Sequence, residues 1–117
     1  LAGRPAPTPE ALMRSRYAAY AKGDAAYIQR TTDPDGPLFE QDTAAWTESI
    51  LRFHRSFRFK GVRILDAPPA DGDVGSVTFH ARLDAEGRDG SFEERSRFTK
   101  ADGQWHYHSG ERLSGDP

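Results

Sequence analysis

The first half of the chain spaces its apolar residues at helical intervals and the second half alternates them, with the change of period just after His54. LAGRPAPTP places prolines at 5, 7 and 9, which favours extended backbone until Thr8 serves as an N-cap with Pro9 at the first helical position. From Pro9 to about Lys22, Met13, Tyr17 and Tyr20 recur at helical spacing, and Gly23 offers a left-handed stop. Asp24 then caps a short helix, DAAYIQRTT, which turns Tyr27 and Ile28 toward a core before Pro34, Gly36 and Pro37 break it. An irregular loop ends near Asp42. Asp42 or Thr43 caps a third helix, in which Trp46, Ile50 and Phe53 fall at i, i+4 and i+7.

Beyond His54 the pattern is that of strands. In SFRFKGVRILD, Phe57 and Phe59 share one face while Val62 and Ile64 have the other parity, so Gly61 is expected in a bulge that re-registers and bends the strand. PPADGD reads as a turn, and VGSVTFHARLD alternates Val77, Phe79, Ala81 and Leu83 against polar neighbours. AEGRDG leads into SFEERSRFTK, where Phe92, Glu94, Ser96 and Phe98 share a face. The ADG turn leads into QWHYHSG, with Trp105 and Tyr107 opposite His106 and His108. The expectation is an α+β fold, with N-terminal helices packed on a strongly bent antiparallel β-sheet.

Composition narrows this further. A length of 117 residues with 36% hydrophobic content supports one compact core, so residues 1–117 are read as a single domain with an extended lead-in at 1–7 and a frayed tail at 111–117. Sixteen basic against 18 acidic residues give a formal charge of -2, which disfavours nucleic acid and anionic membrane surfaces as partners. No Cys is present, so disulfides and thiolate metal sites within these residues are excluded, and a reducing, cytoplasmic location is expected. There is no apolar run of membrane-spanning length and no signal-peptide pattern. The chain begins at Leu1 rather than Met, which leaves room for a longer protein around it.

Two blocks, RPAPTPEALMRSRYAAY near the start and ERSRF followed by DGQWHYHSG, resemble the central domain of the YchJ-like family and lie in the same order. The resemblance covers most of the chain and is least specific from Thr32 to Thr43. It implies a cone-shaped fold of the nuclear-transport-factor-2-like (NTF2-like, SnoaL-like) type. Members of that family often carry a short Cys-rich zinc motif, similar to that at the SecA C-terminus, ahead of the LAGRPAPTP stretch. These 117 residues contain none. The resemblance brings no reaction with it, so no catalytic residue is carried over.

The candidate chemistry is sparse. Arg16 has Leu12, Met13, Ala19 and Tyr20 as its helical neighbours, whereas Arg14 has Glu10 one turn before it. Glu94 shares parity with Phe92 and Phe98 and should point into the core or cone, where an unpaired carboxylate is costly. A structural pair between Arg16 and Glu94, or a tyrosine hydroxyl bonded to Glu94, is weighed against a general base or ligand anchor, and the structural reading is favoured. Ser96 and Tyr17 are expected to add hydroxyls to the same cavity, and Tyr107 to join them as a buried polar group, without a nucleophilic triad. His80, His106 and His108 are assigned to solvent or a subunit interface. An i, i+2 histidine pair is weak evidence for a metal site, and none is expected. Arg82, Arg88, Arg95 and Arg97 read as a solvated sheet face.

These features point to a small binding or interaction domain with a concave pocket for a small apolar ligand, an outer sheet face able to pair with another subunit, and no cofactor within these residues. The alternative is an isomerase, cyclase or dehydratase with Glu94 as pocket acid or base. A third reading makes the domain a spacer for a zinc motif.

Overall fold

The computed structural model describes residues 5–114. Three helices come first, α1 (Pro9–Lys22), α2 (Ala25–Arg30) and α3 (Thr43–Ser56), followed by β1 (Arg58–Asp66), β2 (Val74–Ala85), β3 (Arg88–Asp89), β4 (Phe92–Ala101) and β5 (Gln104–Ser114). This is the α+β order that the change of period predicts. Each helix starts at a side chain that satisfies one of the free amides of its first turn. The Ala11 amide donates to Thr8 Oγ1, the Tyr27 amide to Asp24 Oδ1 and the Ala45 amide to Asp42 Oδ1, at 3.1, 3.1 and 3.0 Å. Of the two caps weighed for α3, Asp42 is the one used. Gly23 ends α1 in the left-handed region, with φ 74°.

The sheet is antiparallel in the order β1-β2-β4-β5, and the two-residue β3 pairs with the end of β2. Val77, Phe79, Ala81 and Leu83 of β2 and Ser96 and Phe98 of β4 are buried on the face toward the helices. α1 packs on β1, β2 and β5, whereas α3 packs on α1 and α2. Phe53 of α3 reaches the sheet at Phe59 of β1, with ring centroids 5.9 Å apart. Leu12 and Met13 of α1 join the core that contains Phe79, Phe98 and Trp105, while Ala19, Ala25, Ile28 and Ile50 form a second cluster among the helices. Among the described residues, no helix is long and apolar enough to cross a membrane.

The register of β1 shifts between Phe59 and Gly61, where the change of parity places a bulge. Gly61 has φ 148°, a conformation that residues with a Cβ rarely adopt, and its amide donates to Tyr17 Oη at 2.8 Å. The Tyr17 hydroxyl in turn donates to the Arg82 carbonyl at 3.3 Å. A helix side chain therefore closes the gap that the bulge opens between β1 and β2.

The end of the chain departs from the expectation. Residues 111–114 are not a frayed tail but the last part of β5, with Glu111 and Arg112 opposite Arg95 and Glu94. Their polar composition masks an ordinary strand, because the solvent side and the cavity mouth both accept charge. Residues 115–117, and residues 1–4 of the lead-in, lie outside the described residues. Within the rest of the lead-in Ala6 is buried against the core, while Pro5 and Pro7 are exposed.

The bulge yields a stability test. Gly61→Val is expected to lower the unfolding free energy in urea by about 1 kcal/mol or more, from backbone strain alone, since no atom lies within 4 Å of the position a Cβ would take. An unchanged midpoint would show that the bulge tolerates a side chain.

Candidate functional site

Between α1, α3 and the inner sheet face lies a cavity of about 430 Å³. Its walls are mostly aromatic, with Trp46 and Phe53 from α3, Phe59 from β1, Phe79 from β2 and Phe92 and Phe98 from β4. Trp46, Phe53, Phe59 and Phe92 are half-buried, so these aromatic side chains face the open space instead of being enclosed. Arg16, Tyr17, Glu94, Ser96 and Tyr107, the polar residues singled out from the sequence, all line the cavity.

Their partners differ from the expected ones. Arg16 is 8% exposed and makes no ion pair with Glu94. Its Nη1 donates to the Ile28 carbonyl, Thr31 Oγ1 and Thr32 Oγ1 at 3.0, 2.7 and 3.1 Å, and its guanidinium lies 4.5 Å from the Tyr107 ring centroid. The direct Arg16 to Glu94 pair is thus incorrect. The end of α2, with a carbonyl that no backbone amide takes and two threonine hydroxyls, is a nearer set of acceptors than a carboxylate across the cavity. Burial pushes the Arg16 pKa down from its ordinary value, against the opposing fields of Tyr20, Tyr107, Tyr27 and Glu94.

Glu94 is held by hydroxyls. Ser96 Oγ and Tyr107 Oη both donate to Glu94 Oε2, at 2.7 and 3.1 Å, which realises the tyrosine alternative. Burial raises the Tyr107 pKa well above the usual phenol range, and the charge and hydrogen bond of Glu94 add to the shift. The Tyr17 hydroxyl is engaged by Gly61 and Arg82, so it seals the bulge and does not serve as a cavity donor.

Sequence parity missed two further members of this group. A register shift between Arg97 and Phe98, opposite Ser109 and Tyr107, re-phases β5, so that Gly110 faces Ser96 and Arg112 faces Glu94. A Cβ on Gly110 would overlap the Glu94 carboxylate and the Tyr107 hydroxyl, so glycine makes the room in which the carboxylate lies. Arg112 also lines the cavity, with its guanidinium 3.8 Å from the Phe92 ring centroid. Tyr20, read from the sequence only as an apolar helix position, lines the cavity as well.

On the other face of the sheet, Arg82, Arg88, Arg95 and Arg97 are exposed, and Arg95 pairs with Glu111 at 3.1 Å. The histidines are half-buried rather than open to solvent. His80 Nδ1 lies 3.3 Å from Glu93 Oε2, His106 Nδ1 3.0 Å from the Gln104 carbonyl and His108 Nδ1 2.9 Å from Ser109 Oγ. No group of three or more His, Asp or Glu among the described residues is arranged to hold a metal ion.

A family model described as the middle NTF2-like domain of YchJ matches residues 8–110. The chain belongs to this family. It is 43% identical to a UPF0225 protein of Streptomyces coelicolor over 112 residues, covering 92% of this chain and 77% of that protein. The solution structure of a SEC-C motif containing protein from Rhodopseudomonas palustris superposes with a TM-score of 0.82 at 40% identity, over 95% of this chain and 83% of that one. An NTF2-like protein from Cytophaga hutchinsonii, 15% identical, shares the fold with a TM-score of 0.62 over 88% of this YchJ-like domain and 92% of its own chain.

Two expectations follow from the charge network. Arg16→Met should cost about 2 to 4 kcal/mol in urea unfolding, because it strips donors from buried acceptors at the end of α2, and Glu94→Gln should cost less. An Arg16→Met loss that vanishes in the Glu94→Gln background would restore a direct pair. The second concerns alkaline pH. The folded-state pKa of Tyr107 lies above its ordinary value of 10.0, so the phenol's contribution to stability is complete below that pH and is lost as pH rises past it. The urea midpoint of Tyr107→Phe should accordingly fall less steeply above pH 10 than that of the unaltered protein, and parallel profiles would contradict the shift.

Proposed function

We propose that this domain binds a small, largely apolar molecule in the cavity between the helices and the inner sheet face. One observation carries the reading: a carboxylate, Glu94, lies inside an aromatic cavity, oriented by two hydroxyls and given room by a glycine. The volume of about 430 Å³ falls within the range of small-molecule sites, and aromatic walls with few convergent polar groups are the usual lining of such sites. The isomerase, cyclase or dehydratase alternative uses the same pocket, with turnover of the bound compound as its signature.

Titration with the apolar fluorophore N-phenyl-1-naphthylamine tests the reading. Saturable one-to-one binding is expected, abolished by Ser49→Trp at the exposed rim and by Ala81→Phe at the buried floor, with the circular dichroism spectrum preserved. Binding that both substitutions leave intact, or no binding to the unaltered protein, would overturn it.

A further inference from the structure

Of the three tyrosine hydroxyls on the cavity wall, those of Tyr17 and Tyr107 are held by the fold and that of Tyr20 is left open to the cavity. The Tyr20 hydroxyl makes no hydrogen bond among the described residues, although the side chain lines the cavity and burial raises its pKa. The ring is fixed in place: it meets Phe53 edge-on, with centroids 5.3 Å apart and planes at 70°, and the residue lies near the end of α1. Its electrostatic partners are Arg16 and Glu94, so the hydroxyl is in the same polar neighbourhood as the carboxylate.

The hydroxyls around Glu94 have the opposite hydrogen-bonding character. A serine or tyrosine hydroxyl has a single proton, and those of Ser96 and Tyr107 are both committed to Glu94 Oε2. What these three side chains can still offer is lone pairs. Thr32 Oγ1 likewise commits its proton to the Ile28 carbonyl, at 2.7 Å. Around Glu94 the pocket therefore presents a cluster of acceptors, and the Tyr20 phenol is a donor on the same wall with no protein acceptor among the described residues.

We propose that the pocket takes its ligand by a hydroxyl group: a neutral, largely apolar alcohol or phenol whose oxygen accepts from Tyr20 and whose proton goes to the Glu94, Ser96 and Tyr107 oxygens. A hydroxyl is the smallest group that is donor and acceptor at one atom. A carboxylate or phosphate at this cluster would meet Glu94 and lone pairs, with Arg16 Nη1 already committed to the end of α2 and Arg112 offering charge only at the mouth. An ammonium would have to lose its water beside the guanidinium groups of Arg16 and Arg112, which both border the cavity. This rests on the pocket reading above and adds the chemistry of the ligand's head group.

The intact domain can be titrated by calorimetry with four compounds on one skeleton: 2-naphthalenemethanol, 2-naphthylmethylamine, 2-naphthoate and 2-methylnaphthalene. The alcohol should bind roughly tenfold tighter than the hydrocarbon and more tightly than either charged compound. That advantage should disappear in Tyr20→Phe and in Glu94→Gln, each checked for folding by its amide spectrum. The comparison within the unaltered protein decides the preference even where a variant fails to fold. Equal binding of alcohol and hydrocarbon would overturn the head-group assignment and leave the pocket standing. Tighter binding of the amine would overturn it as well. Tighter binding of naphthoate, lost in Arg112→Gln, would also overturn it by moving the head group to the mouth. If none of the four binds, the pocket reading falls and this inference with it.

Discussion

The fold is organised around a guanidinium that has left water. α1 must bury one face on the sheet and the other helices, and Arg16 lies in that face beside Leu12, Met13 and Ala19. A cation there is tolerable only where acceptors replace its hydration. They come from one place, the end of α2, where the Ile28 carbonyl has no helical donor and Thr31 and Thr32 add hydroxyls. The sequence of α2 makes sense in this light: its short run ends in two threonines, each of which also donates back to a carbonyl of the helix. Meeting the needs of one charge fixes where α2 stops and how it lies against α1.

The same charge reaches the sheet through Tyr107. The ring presents its electron-rich face to Arg16, while its hydroxyl donates to Glu94. A cation and an anion are thus kept apart, each satisfied by neutral groups, with one aromatic side chain between them. Tyr107 also holds backbone: its amide donates to the Thr31 carbonyl at 2.7 Å and its carbonyl accepts from the Asp33 amide at 2.8 Å. The segment after α2 is therefore tied to β5 as a short parallel bridge, at the residue that orients the pocket carboxylate. Asp33 adds a second tie by accepting from Thr99 Oγ1 at 2.6 Å, a bond that holds its carboxyl pKa below the ordinary value.

Local signals made most of the elements legible from the sequence. Caps, the left-handed stop at Gly23 and the parity change across Gly61 depend on neighbours within a few residues, and each is where the pattern places it. The site was legible only in part. Glu94 and Ser96 face the cavity because the strand period extends unbroken to them, whereas the re-phasing after Tyr107 reverses the reading of everything beyond it. Gly110 and Arg112 were lost to that reversal, whereas the polar composition of residues 111–114 hid the end of the strand. Pairing Arg16 with Glu94 failed on different grounds. Choosing partners by charge considers only side chains, and a helix end offers backbone acceptors that composition does not reveal. Helical spacing also showed that Trp46 and Phe53 share a face, but not whether anything fills the space in front of them.

That space is the strongest reason to separate function from fold in this domain. Membership of the YchJ-like family and the NTF2-like architecture account for the helices and the sheet, yet folds of this kind do not dictate what a cavity is for. Stability alone would favour a filled interior, since unoccupied volume forfeits packing contacts, and an apolar group of similar shape could replace the carboxylate with its hydroxyl partners. It would also favour a side chain at Gly110, because glycine within a strand gives up packing and chain entropy. These departures from the most stable arrangement meet at one point, since the carboxylate lines the cavity and Gly110 makes the room in which that carboxylate lies. Departures that coincide in space have a common explanation more readily than separate ones, and the ligand proposed above would supply it by filling the volume and bonding to the polar groups there.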